Sequence, residues 1–327
     1  MAVAAQPLPS HHEQGGILSW ITTVDHKKIG ILYLYTTFFF FLVGGTEALI
    51  VRTQLAWSNL KIVSPDMYNQ IFTMHGTTMI FLVVVPIFAG FGNYFLPLMI
   101  GARDMAFPKL NMLSYWLAFF GGVTLNLSFF LGGAPNAGWT SYAPLSTTAY
   151  SSGTGIDFWI LGLLMIGTSS TLGAINFVVT TLTMRCPGMK LTEAPMFVWS
   201  MLITSVMVLF STPMITVALI VLLLDRNFGT QYFSVPGGGD PLLWQNLFWF
   251  YSHPAVYIMV LPAMGIVSEV LPVFSRKPLF GHAFIAWSSV FFAVLGFAVW
   301  AHHMFQVGSP LSVDTFFAAA SMLIAVP

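Results

Sequence analysis

The sequence predicts an all-α integral membrane helix bundle with seven complete transmembrane helices and the start of an eighth. Only 11 basic and 11 acidic residues occur among 327, so 7% of the chain is charged, against about 25% in soluble proteins. Hydrophobic residues make up 57%. The charges fall in short clusters separated by apolar stretches of about 20 to 30 residues, each long enough to cross a hydrocarbon core of ~30 Å as a helix.

The elements follow in order along the chain. Residues 1–28 are polar and lack the apolar core and cleavage site of a signal peptide, so they are predicted to form a cytoplasmic tail. Residues 29–327 are predicted to form one membrane domain. Its spans are placed near 29–51, 70–100, 112–133, 158–184, 195–224, 244–272 and 282–307, with an eighth that begins near 314 and is cut off at Pro327. Backbone groups in lipid must be paired within each segment, which leaves helices as the only option.

The charge distribution predicts orientation and excludes other protein classes. Eight Lys and Arg residues lie in one set of alternate loops and three in the other: Lys27, Lys28, Arg103, Lys109, Arg185, Lys190, Arg276 and Lys277 against Arg52, Lys61 and Arg226. Because cytoplasmic loops are enriched in basic residues, the N-terminus is predicted to be cytoplasmic. The zero formal net charge leaves no basic patch for nucleic acid. The single cysteine, Cys186, excludes a disulfide framework and cysteine-rich metal sites.

Four histidines lie inside apolar spans: His75, His253, His302 and His303. With the predicted topology, all four fall roughly 6 to 14 Å below the outer surface, at about 1.5 Å per helical residue. A single buried histidine is more often a packing residue, but four at one depth without matching carboxylates favour a metal over a proton relay. Imidazole suits copper, iron and zinc. The sequence therefore predicts a three-histidine metal site made by His253, His302 and His303.

Polar residues without charge accompany this site. Tyr257 lies one helical turn from His253 on the same face, so its hydroxyl is predicted to point into the same cavity. Nearer the inner side, hydroxyl and amide groups could hold a chain of waters that carries protons; the plain alternative is ordinary helix packing. These uncharged inner residues are Asn93, Asn111, Ser169, Ser170, Asn176, Tyr251 and Ser252. The carboxylate of Asp104 lies in the inner loop beside them, and by itself it is interpreted as a solvated loop residue.

Several strings resemble subunit I of the haem-copper oxidases, specifically the A family of bacterial cytochrome c oxidases. They include Phe-Thr-Met-His-Gly-Thr at 72–77, Gly-Ala-Arg-Asp-Met-Ala-Phe-Pro-Lys-Leu-Asn at 101–111, Gly-Ala-Ile-Asn-Phe at 173–177, His-Pro-Ala-Val-Tyr at 253–257 and Trp-Ala-His-His-Met-Phe at 300–305. The strings occur in order from about residue 20 to the end of the chain. The pair of His-Pro-x-Val-Tyr and Trp-x-His-His is highly specific.

The resemblance implies a role for each matching residue. His75 would be an axial ligand of a low-spin haem of type a, and Arg52, just outside helix I, would contact its formyl group. His253, His302 and His303 would hold the copper called Cu-B, and Tyr257 would be joined covalently to His253. The proton route would begin at Asp104, narrow at Asn93 and Asn111, and continue past Ser169, Ser170 and Asn176. Ser268 would lie near the start of a second proton route, the K pathway.

Two departures from the family pattern qualify these roles. Many members of the family have a glutamate two residues after the first copper histidine, but this chain has Ala255 there. One subgroup has a Tyr-Ser pair in place of that glutamate, and Tyr251-Ser252 resembles it. The Tyr251 phenol is expected to relay protons through water. The family's helix VIII lysine and the helix X histidines that bind both haem irons would lie beyond Pro327. The chain therefore resembles about the first three-fifths of a twelve-helix subunit and is expected to be inactive by itself.

As a whole, the resemblance implies a terminal respiratory oxidase in a bacterial plasma membrane that reduces dioxygen to water and takes up, and pumps, protons. Its cofactors would be the low-spin haem, a high-spin haem of type a3 and copper. Its partners would be the rest of subunit I, a subunit II with a dinuclear copper centre, subunit III, cytochrome c and membrane lipid. The alternatives are a quinol oxidase, disfavoured by Met67 and Val43 at the quinol-site positions, and a non-catalytic membrane fragment without haem. Nitric oxide reductase is disfavoured by Tyr257.

Charged residues near helix ends receive simpler interpretations. Glu47 and Glu269 are predicted to be interfacial residues without a function. Asp225, Arg226 and Asp240 border the outer connection between helices V and VI. They are weak candidates for contact with haem propionates or a neighbouring subunit.

Overall fold

The structure is a computed structural model that describes residues 16–326, and its regular elements are all helices. A single turn at Leu18–Ile21 precedes the long helices. These are α1 His26–Gln54, α2 Pro65–Ile100, α3 Pro108–Leu127, α4 Gly155–Thr183, α5 Met196–Phe228, α6 Pro241–Ser275, α7 His282–Gly296 and α8 Leu311–Leu323. Helices α1 to α7, with the turn Trp300–Met304 that follows α7, are long and apolar enough to cross a membrane. The predicted fold class and the number of spans are confirmed.

Capping residues make most helices longer than the predicted spans. Helix α1 begins at His26 because the Asp25 carboxylate accepts the N–H groups of Lys27 at 2.8 Å and Lys28 at 3.1 Å. Helix α2 begins at Pro65 after the N-cap Ser64. It ends at Ile100, where Gly101 adopts the left-handed conformation with φ of 71° and caps the helix. The apolar run marks the part of a helix that faces lipid, whereas caps decide where the hydrogen-bonded turns begin and end.

Helix α2 packs on α1, and helices α3 to α6 pack in order along the chain, whereas α2 and α3 make few contacts and α3 packs on α1 instead. Glycines bring α3 and α4 close together. A Cβ on Gly121 would lie 2.9 Å from the Gly162 carbonyl oxygen, and a Cβ on Gly162 would lie 3.0 Å from that of Gly121. Small residues allow helix backbones to approach closely where lipid supplies no hydrophobic driving force. Large apolar side chains such as Phe38 and Phe210 remain 60% and 67% exposed on the outside of the bundle.

Two helices are irregular at the level of the candidate site. Helix α2 contains a π segment at Met79–Val84, just before Pro86, which lacks the N–H that an α-helical turn needs. Helix α7 was expected to continue to residue 307, but its α-helical part ends at Gly296 and a 3₁₀ turn spans Trp300–Met304. The two adjacent histidines therefore lie on a tighter turn than an α-helix.

The alternating direction of the helices gives the bundle two ends. The Asp104 end consists of residues 16–25 and the connections 101–107, 184–195 and 276–281. The histidine end consists of the connections 55–64, 131–154, 229–240 and 305–310. Hydrogen bonds tie the connections to neighbouring helices at each end, for example the Cys186 N–H to the Ile100 carbonyl at 2.8 Å and the Trp244 indole N–H to the Thr140 carbonyl at 2.9 Å. The two ends carry different chemistry.

Candidate metal centre and polar route

Three histidines meet near the histidine end. The candidate ligand nitrogens of His253 in α6 and of His302 and His303 in the 3₁₀ turn all lie within 4.8 Å of one another. The closest pair is Nδ1 of His253 and Nε2 of His303, at 3.1 Å. The ring centroids of His302 and His303 are 4.3 Å apart. The 3₁₀ turn rotates successive residues by about 120°, and both adjacent rings still reach the single ring on α6.

The surroundings of the three rings suit a metal ion. Nε2 of His253 is buried without a hydrogen-bond partner in the described chain, which is costly unless the nitrogen binds something. Nδ1 of His302 lies 2.9 Å from the hydroxyl of Ser321 on α8, a contact that orients the ring. The group contains no carboxylate. Three neutral imidazole donors fit copper, iron or zinc better than calcium or magnesium.

Aromatic rings surround the cluster. The indole of Trp249 stacks on the His303 ring with centroids 3.7 Å apart and an interplanar angle of 11°. The Tyr257 ring lies edge-on to His253, with centroids 4.6 Å apart. The two residues are one turn apart on α6, so Tyr257 shares the predicted face. Trp249 was absent from the predicted site, although its position one turn before His253 could have indicated it.

His75 lies on α2 and is not part of the three-histidine cluster. Its Nδ1 is 2.9 Å from the Gly44 carbonyl oxygen on α1. A ring N–H bound to a backbone carbonyl is the usual second contact of a metal-binding histidine, because it fixes the tautomer and leaves Nε2 as the donor. No atom lies within 4 Å of the place that a Cβ on neighbouring Gly45 would take. His75 therefore fits an axial haem ligand. Arg52 is exposed in the last turn of α1, so it belongs to that helix and does not lie outside it.

The Asp104 end holds a half-buried carboxylate. Asp104 Oδ1 accepts the Met105 N–H at 2.7 Å in the connection 101–107. Burial raises the pKa of this carboxyl above its ordinary value, while the Met105 N–H and nearby His26 act in the opposite direction. His26 is itself 1% exposed, and its Nδ1 lies 2.7 Å from the Asn93 carbonyl oxygen. His26 was not among the predicted site residues, because a histidine at the start of a helix carries no local signal of burial.

The two asparagines of the predicted route are in contact. Nδ2 of Asn111 donates to Oδ1 of Asn93 at 2.5 Å, across α3 and α2. Beyond them lies a cavity of about 70 Å³, lined by Tyr33, Asn93, Ser114, Ser169 and Ser170 among others. The Tyr33 hydroxyl lies 3.3 Å from that of Ser114 and 3.4 Å from that of Ser169. Tyr33 and Ser114 extend the predicted set.

A second, smaller cavity continues toward the metal centre. It measures about 20 Å³, shares Ser170 with the first cavity, and has Tyr251 in its wall. The Tyr251 ring stacks on Phe81 of the π segment, with centroids 6.4 Å apart. The hydroxyl of neighbouring Ser252 is buried without a partner in the described chain. The predicted polar residues are thus brought together in a row from Asn93 to Tyr251.

Asn176 differs from this row. Its Oδ1 accepts the Phe107 N–H at 2.9 Å, and its Nδ2 donates to the Phe107 carbonyl at 3.1 Å. Both ends of its amide therefore anchor the connection 101–107. Ser268 also lies apart, on the wall of a cavity of about 130 Å³ that it shares with Ser200, Ser288 and Ser289.

Three charged residues that were expected to lie at helix ends without a defined role have specific surroundings in the structure. Glu47 is 7% exposed, and one of its carboxylate oxygens is buried without a partner in the described residues, so it is not interfacial. Glu269 accepts the Met196 N–H at 2.6 Å and so caps the start of α5. Arg226 is buried and bonded to Asp157 of α4 at 2.8 Å.

Comparison with known proteins places the chain in a family. Residues 28–327 match the family described as cytochrome c and quinol oxidase polypeptide I. Cytochrome c oxidase subunit 1 of Synechocystis is 54% identical over 100% of this chain and 59% of its own length. The Bacillus subtilis protein of the same name is 50% identical over 98% of this chain and 51% of its own. Quinol oxidase subunit 1 of Bacillus subtilis is 48% identical over 94% of this chain and 48% of its own.

A solved structure shows the same fold. A haem-copper terminal oxidase dimer determined by cryo-EM superposes with a TM-score of 0.69 and 19% identity, over 92% of this chain and 51% of that one. The chain spans about half to three-fifths of the length of these relatives. The seven apolar helices, together with the family match, make it a multi-pass membrane protein. The chain belongs to the cytochrome c and quinol oxidase polypeptide I family of the haem-copper oxidases.

Proposed function

We propose that this chain is the part of an oxidase subunit I that binds Cu-B and one side of the low-spin haem, in a complex that reduces dioxygen to water. The observation that carries the proposal is the cluster of three imidazoles with the Tyr257 ring edge-on to His253. His253, His302 and His303 would hold the copper ion, which together with a haem iron would supply electrons to dioxygen. The Tyr257 phenol is placed to hold a proton beside that centre.

His75 is proposed to bind the iron of the low-spin haem through Nε2, because its Nδ1 already faces the Gly44 carbonyl oxygen. Haem a is the type that the resemblance favours for this site, and a high-spin haem of type a3 is proposed as the second haem of the complex. Arg52, exposed at the end of α1, is proposed to contact the low-spin haem once it is bound. The membrane domain is proposed to comprise residues 29–327 together with the turn of α1 that begins at His26.

The remaining residues are proposed to move protons. Asp104 would take up a proton, the Asn93 and Asn111 amides would restrict its passage, and waters in the two cavities would carry it past Ser169 and Ser170 to Tyr251. Neutral hydroxyls and amides suit this task, because they bind water without trapping a charge. Asn176 would position the Asp104 connection, and Ser252 and Ser268 would contact water elsewhere.

Cytochrome c is proposed as the electron donor, delivered through a subunit with a dinuclear copper centre. Relatives that are 50% to 54% identical are named cytochrome c oxidase subunit 1, and the positions expected to bind quinol hold Met67 and Val43. The similarity to proteins named quinol oxidase keeps quinol as the second candidate. The eight basic residues in the predicted inner loops favour a cytoplasmic Asp104 end, in a bacterial plasma membrane.

One experiment tests the proposal and the donor together. The complex that contains this chain would be purified and analysed for haem, copper and oxygen consumption with either reduced cytochrome c or a quinol. The proposal expects two haems and Cu-B per complex, and faster oxygen consumption with cytochrome c. A complex free of haem would overturn the proposed function. Faster oxygen consumption with the quinol would show that quinol, and not cytochrome c, is the electron donor.

A further inference from the structure

Arg226 has an unusually complete set of partners for a residue near a helix end. Its Nε and Nη2 donate to the two carboxylate oxygens of Asp157, at 2.8 and 3.1 Å. The other three N–H groups have acceptors on backbone carbonyls of Ser146, Ser151 and Gly153, at 2.6 to 2.9 Å. The guanidinium thus uses all five of its donors. Its side chain is only 1% exposed.

The three carbonyls belong to the connection 131–154, which has no regular helix of its own. A segment of this length loses much conformational freedom when it is ordered. The hydrogen bonds of Arg226, which is itself held by Asp157, offset that loss by tying the segment to the ends of α5 and α4. Local stabilisation alone would account for this much of the geometry.

The same connection also touches both predicted metal sites. The Cβ of its Trp139 lies 3.2 Å from the place a Cβ on Gly76 would take, directly beside His75 in sequence. The Trp139 ring is edge-on to Trp249, with centroids 6.0 Å apart. The Tyr142 hydroxyl accepts the Trp249 indole N–H at 2.5 Å.

Trp249 carries the contact to the metal centre. Its ring stacks on that of His303 at 3.7 Å between centroids. The orientation of His303 therefore depends on Trp249, that of Trp249 on Tyr142, and that of Tyr142 on the connection fixed by Arg226. The Ser146 N–H donates to the Tyr142 carbonyl at 3.1 Å. The path from the guanidinium to the imidazole therefore runs through the backbone of Ser146 and Tyr142, then through the Tyr142–Trp249 hydrogen bond and the Trp249–His303 ring contact.

We propose that Arg226, with Asp157, is a positioning residue for the copper ligand His303. The inference rests on the proposed function, since it concerns metal binding by that same cluster. Residues that orient a ligand from outside the first contact shell typically contribute 10- to 100-fold to metal affinity. Arg226 acts through two intermediate side chains, so the lower end of this range applies.

The test uses the purified complex that contains this chain. Arg226→Lys keeps the charge but not the planar set of donors, and should weaken copper retention about tenfold, measured by competition with a copper chelator. The control is Asp225→Asn, because Asp225 forms its hydrogen bonds with Thr230, Tyr232 and Phe233 of the connection 229–240. Asp225→Asn should leave copper retention unchanged, even if it lowers the melting temperature as much as Arg226→Lys does.

A double-mutant cycle separates positioning from general stability. Tyr142→Phe removes the Trp249 contact with little change of shape and should weaken copper retention by itself, in case Arg226→Lys fails to assemble. If Arg226 acts through Tyr142, the double variant should lose less than the product of the two single effects. Copper retention by Arg226→Lys or Tyr142→Phe equal to that of the parent, or independent effects in the double variant, would overturn the inference. A parent complex without copper would instead overturn the proposed function.

Discussion

The two ends of the bundle solve different problems with different side chains. At the histidine end, aromatic rings enclose the three imidazoles: Trp249 stacks on His303, and Tyr257 meets His253 edge-on. At the Asp104 end, amides and hydroxyls leave space, with a cavity of about 70 Å³ beyond the Asn93–Asn111 contact. A metal centre needs ligands held in one geometry, whereas a proton route needs room for water to reorient.

This contrast predicts that substitutions at the histidine end remove the centre, while those at the Asp104 end slow the reaction with the centre intact. The largest effect is expected for His253→Ala. It removes one of three donors and leaves two imidazoles of the same turn, so copper affinity should fall by at least about 100-fold. His282→Ala is the matched control, because His282 bonds the Ala194 carbonyl at 3.0 Å at the opposite end. Equal copper content in both variants would show that the histidine end does not hold the metal.

Asp104→Asn should slow oxygen consumption by about 100-fold, at the low end of the range typical of lost acid–base groups, with copper and haem content unchanged. The amide keeps the shape and the acceptor for the Met105 N–H but cannot release a proton. Oxygen uptake and metal analysis of the same preparation measure both quantities. Loss of copper in this variant would show that the two ends are not independent.

The same variant has a pH signature in stability. Burial raises the pKa of Asp104, so the folded protein keeps this proton to higher pH than the unfolded chain does. Below the ordinary carboxyl pKa both states are protonated, and Asp104 does not lower the free energy of unfolding. Between the ordinary and the raised pKa the unfolded chain loses its proton first, so the free energy of unfolding falls as the pH rises through this window. Asp104→Asn should therefore melt higher than the parent at neutral pH and equally near pH 3. A variant that melts lower at neutral pH would contradict the raised pKa.

Tyr251→Phe should have a smaller effect, about tenfold on the rate of proton uptake. Its ring can keep its stacking on Phe81, but the hydroxyl in the wall of the smaller cavity is lost. Tyr35→Phe is the control, because Tyr35 is 73% exposed on the outside of α1. Proton uptake after mixing the reduced complex with oxygen gives the rate. Identical rates in both variants would remove Tyr251 from the route.

Asn176→Ala should give the smallest change in rate and an effect on stability instead. Two hydrogen bonds to Phe107 are lost. The Phe107 N–H is left without a partner, while its carbonyl keeps the Asn111 N–H at 2.9 Å, so unfolding should become easier by about 1 to 3 kcal/mol. Thermal melting of the complex measures the change. A rate loss as large as that of Asp104→Asn, without a change in melting, would return Asn176 to the proton route.

Much of the fold could be predicted because hydropathy is a local property. Each apolar run had to be a helix in lipid, and α1 to α7 confirm the seven spans. The ends were less certain because caps such as Asp25 and Ser64 act one residue at a time. The break in α7 was missed, since the sequence around Gly296 remains as apolar as a continuous helix.

The sequence by itself determined the membrane class, the number of spans and the histidines that form the cluster. The first two depend on local composition, and the histidines share a depth that the predicted topology gives them. The tertiary structure decided how distant residues are paired. Asn111 meets Asn93 across 18 residues, Asn176 is occupied by Phe107 across 69, and Arg226 is buried against Asp157 across 69. A charge near a helix end has the same local signature whether it faces water or a buried partner, and only the packing of α4 against α5 distinguishes the two.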